Sequence, residues 1–129
     1  MDFQALARNI EADVIEWRRH LHRNPELSGQ EYDTAGFVAK ILEGIGVEDV
    51  RHVGDTGVTG LIRGRGPGRV VALRADMDAL PGDEKTGLPF SSERPGAAHM
   101  CGHDVHTAIL LGVAKVLWGA RDEFDGAVR

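Results

Sequence analysis

Within eight residues, His99-Met100-Cys101-Gly102-His103-Asp104-Val105-His106 gathers three histidines, a cysteine and an aspartate. Thiolate sulfur and imidazole nitrogen are good ligands for borderline divalent metals, and Gly102 lets Cys101 and His103 turn toward one point. If Asp104 caps the helix that follows, both ligands sit at its positive N-terminal end, where a thiolate is favoured. His106, three residues after His103, could share a helix face with it. A lone cysteine is also commonly a small buried hydrophobe, so residue chemistry alone leaves metal binding and an inert core position both open. A rival reading makes Cys101 a nucleophile with a histidine base, as in a thiol hydrolase.

A second cluster is Arg74-Ala75-Asp76-Met77-Asp78. Carboxylates at the C-terminal end of a buried strand stand where α/β sheets place their ligands. Alternation puts Asp76 and Asp78 on one side if the strand persists that far, where one could orient a ligating histidine. The competing reading is that both cap turns and pair with Arg74. His20 and His22 lie among Arg18, Arg19 and Arg23 near a helix C-terminus, which favours cations and suggests a structural role. His52 reads as a surface residue, and Trp17 and Trp118 as core packing.

The elements that must position these groups follow from periodicity. Phe3, Leu6, Ile10, Val14, Trp17 and Leu21 form one stripe of an amphipathic helix from Phe3 to about Arg23, stopped by Asn24-Pro25. A second helix is predicted from about Glu31 to Ile45, with Gly44 and Gly46 as its exit. The β-branched runs 47–53 and 58–63 read as strands. Val70-Val71-Ala72-Leu73 reads as a strand covered on both faces, and about Pro81 to His99 as a long loop. Asp104 then caps a helix over about Val105 to Gly119, with Ile109, Leu110, Val113, Val116 and Leu117 facing inward. The tail Phe124 to Arg129 looks like a turn entering a strand. Helices, strands and a final helix imply an α/β layered domain.

Bulk properties narrow the function. The 129 residues suit one domain, and 42% hydrophobic with 27% charged residues is a globular composition. A formal net charge of -5 with interspersed signs offers no basic footprint for nucleic acid and no polybasic membrane patch. The single cysteine excludes an intramolecular disulfide framework. No basic-then-apolar leader and no membrane-length apolar run is visible, so the cytoplasm is the expected compartment.

Four stretches in order resemble the aminoacylase-like metallo-amidohydrolases, which include hippurate hydrolase, auxin-conjugate hydrolases and N-acyl-amino-acid amidohydrolases. They are Trp17-Arg18-Arg19-His20-Leu21-His22-Arg23-Asn24-Pro25-Glu26-Leu27, residues 72–81 (ALRADMDALP), Thr86-Gly87-Leu88-Pro89-Phe90, and residues 99–108 (HMCGHDVHTA). The resemblance covers essentially the whole chain. It implies a zinc-peptidase-like α/β catalytic domain, three-layered, with helices packed on a mixed sheet, of which residues 1–129 are a truncated N-terminal part. The rest of that domain and a dimerisation and lid domain are expected to be absent. It also implies that Cys101 and His103 are two ligands of a dinuclear centre holding divalent Mn or Zn, with Asp78 and Asp76 as supporting acids. The remaining ligands and the glutamate base have no match here; Glu84, Glu93 and Glu123 do not occupy the base position. The implied activity is hydrolysis of an N-acyl amino acid by a homo-oligomer, with this stretch alone inactive. The rival expectations are a cysteine-nucleophile hydrolase and a non-catalytic binding or assembly module. Departures from the family pattern are Gly82 and Val105; the latter is expected to narrow the room beside the metal loop.

Overall fold

The stripe from Phe3 to Leu21 folds as two helices rather than one. The computed structural model describes all 129 residues, and in it α1 (Phe3–Asn9) is capped by Asp2, whose carboxylate accepts the Ala5 N–H at 3.0 Å. The chain breaks at Ile10 and resumes as α2 (Glu11–Arg23). The break lets Ile10 and Val14 lie together against Gly112, where a Cβ would come within 2.8 Å of Val14 and 3.4 Å of Ile10. Two short helices thus dock where one straight one would carry α1 away from the body. α2 ends at Arg23, as Asn24-Pro25 requires.

α3 (Tyr32–Ile45) matches its periodicity and closes on Gly46 at φ 105°, the left-handed cap that glycine adopts without strain. Its first turn is held from outside the helix. The buried Glu26 carboxylate accepts the N–H groups of Asp33 at 3.2 Å and Thr34 at 2.5 Å, and the Thr34 hydroxyl at 2.6 Å. Those N–H groups have no partner within the helix, so a carboxylate there stabilises both the hydrogen bonding and the dipole.

The strands are β1 (Glu48–Val53), β2 (Gly57–Arg63), β3 (Val70–Val71), β4 (Leu80–Pro81), β5 (Ala97–Ala98) and β6 (Ala127–Val128); α4 (His103–Gly119) lies between β5 and β6. They form a mixed sheet in the order β1-β2-β6-β3, antiparallel except for β3 with β6, and a separate antiparallel pair β4-β5. α3 and α4 pack on each other and on β2, and α2 lies along α4. Leu21, Ala35, Val38, Leu61, Ile62, Ala108 and Leu111 supply the core between them.

Several expectations change here. Val70 to Leu73 does not form a strand buried on both faces: β3 covers only Val70 and Val71, which are 64% and 55% exposed. The strand sits at the sheet edge beside β6, so its outer side has no neighbour. The long loop is an excursion tied at its base by β4 and β5. The buried residues of α4 are Asp104, Thr107, Ala108, Leu111 and Gly112, while Ile109 is exposed; Leu110, Val113, Val116 and Leu117 are only partly covered. Trp17 and Trp118 are half-buried, with Lys115 and Arg121 over their rings. His52 is on the surface and β6 occupies the expected tail strand. No helix is long and apolar enough to cross a membrane.

Candidate metal centre

α4 begins two residues earlier than its capping signal implies. Gly102, at φ 79° in the left-handed region, occupies the cap position, and His103 is already helical. Asp104 therefore does not cap the helix. It sits inside the first turn with its side chain only 2% exposed, directed away from the axis toward α2. Gly102 provides the turn, so the aspartate is free for another partner.

His103 is oriented by the segment after β3. Its Nδ1 lies 2.9 Å from Asp78 Oδ1 and 3.0 Å from the Asp78 backbone oxygen, and its Nε2 lies 3.9 Å from Asp76 Oδ2. A proton on Nδ1 donated to Asp78 fixes the ring and leaves the Nε2 lone pair for an electrophile; this is how carboxylates commonly orient metal-binding histidines. The strand does not persist to Asp76 and Asp78, yet both carboxylates converge on His103. Thr107 Oγ1 donates to the Asp76 backbone oxygen at 3.0 Å, and the Ala79 N–H donates to the Glu26 carbonyl at 2.7 Å, so the segment is pinned at both ends. Arg74 also pairs with Asp76, so that part of the competing reading holds too.

Cys101 is exposed, and its thiol makes no hydrogen bond to a histidine, which leaves the nucleophile reading without its base. His106 is exposed, its ring 5.7 Å from that of His103. No three histidine, cysteine or carboxylate side chains come together closely enough to hold an ion. The donor set nonetheless fits a divalent metal in part: an accessible thiol two residues before an imidazole whose outer nitrogen is held by a carboxylate. Val105, in the first turn of α4, is 37% exposed.

Behind this turn lies a polar network that the sequence does not announce. Asp104 Oδ2 accepts from His22 Nδ1 at 2.7 Å and from Arg18 Nε at 2.9 Å. On its far side His22 Nε2 is 2.9 Å from Glu84 Oε1, at ion-pair distance though outside hydrogen-bond geometry. Glu84 also accepts from the Thr86 hydroxyl and from the Ser92 N–H at 2.9 Å. Burial pushes the Glu84 carboxyl upward, but these bonds and the contact with His22 outweigh it and hold it at about 2. Burial likewise opposes the charge on Asp104, and the bond from His22 with nearby His99 and Arg18 leaves it below the ordinary value. His99 is buried with neither ring nitrogen bonded, and desolvation lowers its pKa. Phe90 closes the network, with the guanidinium groups of Arg18 and Arg19 5.0 and 4.8 Å from its ring centre.

His22, in the last turn of α2, does not face solvent as a helix-end residue would: it is buried at the centre of this network. The available signal was its i,i+4 spacing from Arg18 beside Leu21 on one helix face. His20 instead stacks on Phe37, and burial lowers its pKa. Asp76 and Asp78 also border a hollow of about 530 Å³ between α3, α4 and the sheet, otherwise lined largely by apolar side chains such as Val38, Leu42, Leu111 and Leu117.

Residues 72–129 match the family model described as peptidase family M20/M25/M40. The chain is 48% identical over 128 residues to an N-acyl-L-amino acid amidohydrolase of Geobacillus stearothermophilus, covering 99% of this chain and 35% of that protein. It is 50% identical over 123 residues to thermostable carboxypeptidase 1 of Saccharolobus solfataricus, covering 95% of this chain and 31% of that protein. Its fold superimposes with a TM-score of 0.87 on the crystal structure of Bacillus subtilis YXEP, a dinuclear metal-binding peptidase of the M20 family, at 43% identity over 97% of this chain and 34% of that one. The chain spans about a third of the length of these relatives.

Proposed function

Because this chain belongs to the peptidase family M20/M25/M40, we propose that it serves a metal-dependent amidohydrolase that cleaves N-acyl amino acids into a carboxylic acid and a free amino acid. The observation that carries this reading is the clamp of Asp78 on His103 Nδ1, which leaves Nε2 free on a residue two positions after the accessible Cys101. An N-acyl amino acid and the C-terminal end of a peptide share one chemistry, an amide whose nitrogen belongs to an amino acid with a free carboxylate. That shared feature accommodates the names of both relatives.

In this reading Cys101 and His103 hold a divalent ion, Mn or Zn, and Asp78 keeps the imidazole in the ligating tautomer. When bound, such an ion polarises the amide carbonyl and lowers the pKa of a water. Asp76, 3.9 Å from His103 Nε2, adds negative charge that favours a cation there. A catalytic ion needs about three protein ligands. Two are assigned here, so the proposal places the others, the second ion's ligands and the general base outside these 129 residues, and expects no turnover from this stretch alone. The single cysteine fits a reducing, cytoplasmic setting. The exposed apolar edge of β3 fits a homo-oligomer or a further strand.

The test is release of free amino acid by the full-length protein from a panel of N-acetyl, N-benzoyl and peptidyl amino acids. Activity should vanish with a chelator and return with Mn²⁺ or Zn²⁺. Turnover unaffected by chelation, or none on any member after metal loading, refutes the proposal.

A further inference from the structure

The turn that carries the candidate ligands has little to hold it. Met100 and Cys101 are exposed, and the nearest backbone bond is the Gly102 carbonyl accepting from His106 at 3.0 Å. Where Cys101 lies relative to His103 therefore depends on where α4 begins. With Gly102 making the turn, the first turn of α4 is tied to its surroundings by three side chains: His103 on Asp78, Thr107 on the Asp76 carbonyl, and Asp104, next to His103 and anchored 82 residues away in sequence on His22. α2 is a firm anchor at this end. The Asn24 amide donates to the His20 carbonyl at 2.8 Å, and the Arg23 carbonyl accepts the Glu93 N–H at 2.9 Å.

We propose that His22 is a positioning residue for the metal loop: its Nδ1 bond to Asp104, rather than its contact with Glu84, sets the geometry in which Cys101 and His103 face one ion. The two contacts of His22 are unequal in kind. The one to Asp104 is 2.7 Å and well directed, and it reaches the helix that bears His103. The one to Glu84 is 2.9 Å and off line, and it reaches only the excursion between β4 and β5. Arg18 supports the same Asp104 oxygen but is 31% exposed, so it shares its hydrogen bonding with water. The inference rests on the metal reading above.

The two ring nitrogens can be separated by substitution. An asparagine amide nitrogen falls near Nδ1, and a glutamine amide nitrogen falls near Nε2. Metal-free full-length protein is titrated with Co²⁺ while the thiolate-to-cobalt charge-transfer band is followed; this band reports Cys101 on the ion whatever the activity. His22→Asn should keep the wild-type cobalt affinity within about threefold and retain the band. His22→Gln should weaken affinity about tenfold, the low end of the effect of removing a supporting partner, and lose band intensity per bound cobalt. Glu84→Gln should behave as wild type. The proposal is overturned if folded His22→Gln matches the wild-type titration and spectrum, or if Glu84→Gln loses as much as His22→Gln. Should His22→Gln be recovered only unfolded, Asp104→Asn carries the test, since it keeps the volume and one acceptor yet must still weaken the band; a wild-type titration there overturns the inference. A wild-type protein that forms no thiolate band removes the metal reading and this inference together, whereas an unchanged His22→Gln removes this inference alone.

Discussion

Removing the Asp104 carboxylate should be among the most damaging single changes in the protein. In Asp104→Ala two charge-assisted bonds are lost, from His22 at 2.7 Å and Arg18 at 2.9 Å. Bonds to charged groups contribute about 1.5–3 kcal/mol each, so their sum is about 3–6 kcal/mol. The partners do not suffer equally. Arg18 keeps 31% of its side chain in water and can rehydrate, which moves the cost toward the lower end. His22, with 7% of its side chain exposed, cannot; its Nδ1 is left buried without an acceptor. The expected loss is about 4 kcal/mol, within the range of about 3–5 for breaking a buried pair from one side. Asp104→Asn keeps one acceptor oxygen and should lose about half as much, roughly 2 kcal/mol.

Equilibrium urea unfolding measures both, as a drop in midpoint at unchanged slope. A double-mutant cycle with His22→Phe isolates the pair. If the bond is as strong as its geometry implies, Asp104→Ala should cost at least about 1.5 kcal/mol less in the Phe background than in the wild type. A loss below about 1 kcal/mol for Asp104→Ala, or a coupling indistinguishable from zero, would refute the reasoning: the network would then be a well-hydrated arrangement worth no more than a surface ion pair.

Two further outcomes follow from the same physics. Glu84 has a folded pKa of about 2 against an ordinary 4.5, so its contribution is fully present above pH 4.5 and lost as pH falls through about 2; Glu84→Gln should flatten the fall in unfolding free energy across that window, and an unchanged pH profile would contradict the assignment. Gly46→Ala should lower stability by about 2 kcal/mol or more, because φ 105° is strained for a side chain by about 1–2 kcal/mol and the new Cβ would stand 2.8 Å from the Trp118 ring; a thermal melt within 1 °C of wild type would show that the cap relaxes freely.

What could be read in advance divides along the range of the interaction. α3, its glycine exit, the stop at Asn24-Pro25 and the β6 tail are local consequences of periodicity and turn chemistry, and each falls where those signals put it. The errors arise where the neighbour decides. The run from Val70 reads as buried on both faces because it is apolar throughout, but its position at the sheet edge leaves it exposed. α4 is apolar on more than one side, so spacing cannot select its inward face; packing against α2, α3 and β2 together buries Ala108, Leu111 and Gly112 and leaves Ile109 in solvent. Cys101, His103, Asp76 and Asp78 were legible as types of chemistry, and the structure brings three of the four together around the His103 ring while leaving Cys101 on an exposed turn.

The polar network shows why a capping signal can mislead. An aspartate just before an apolar helix has two possible uses, to accept the first N–H groups itself or to reach across to another element. The choice depends on whether something else can make the turn. Gly102 can, because a left-handed residue costs it little. Once the glycine provides the turn, Asp104 falls inside the helix on its buried side, where an unpaired carboxylate would be expensive. The burial of Asp104 therefore requires hydrogen-bond donors from elsewhere, and Arg18 and His22 on one face of α2 supply them. A histidine one turn after an arginine, beside a buried leucine, is the matching half of that requirement. Read together, the glycine before His103 and the Arg18–His22 pair imply a buried link between α2 and α4, although neither half implies it alone.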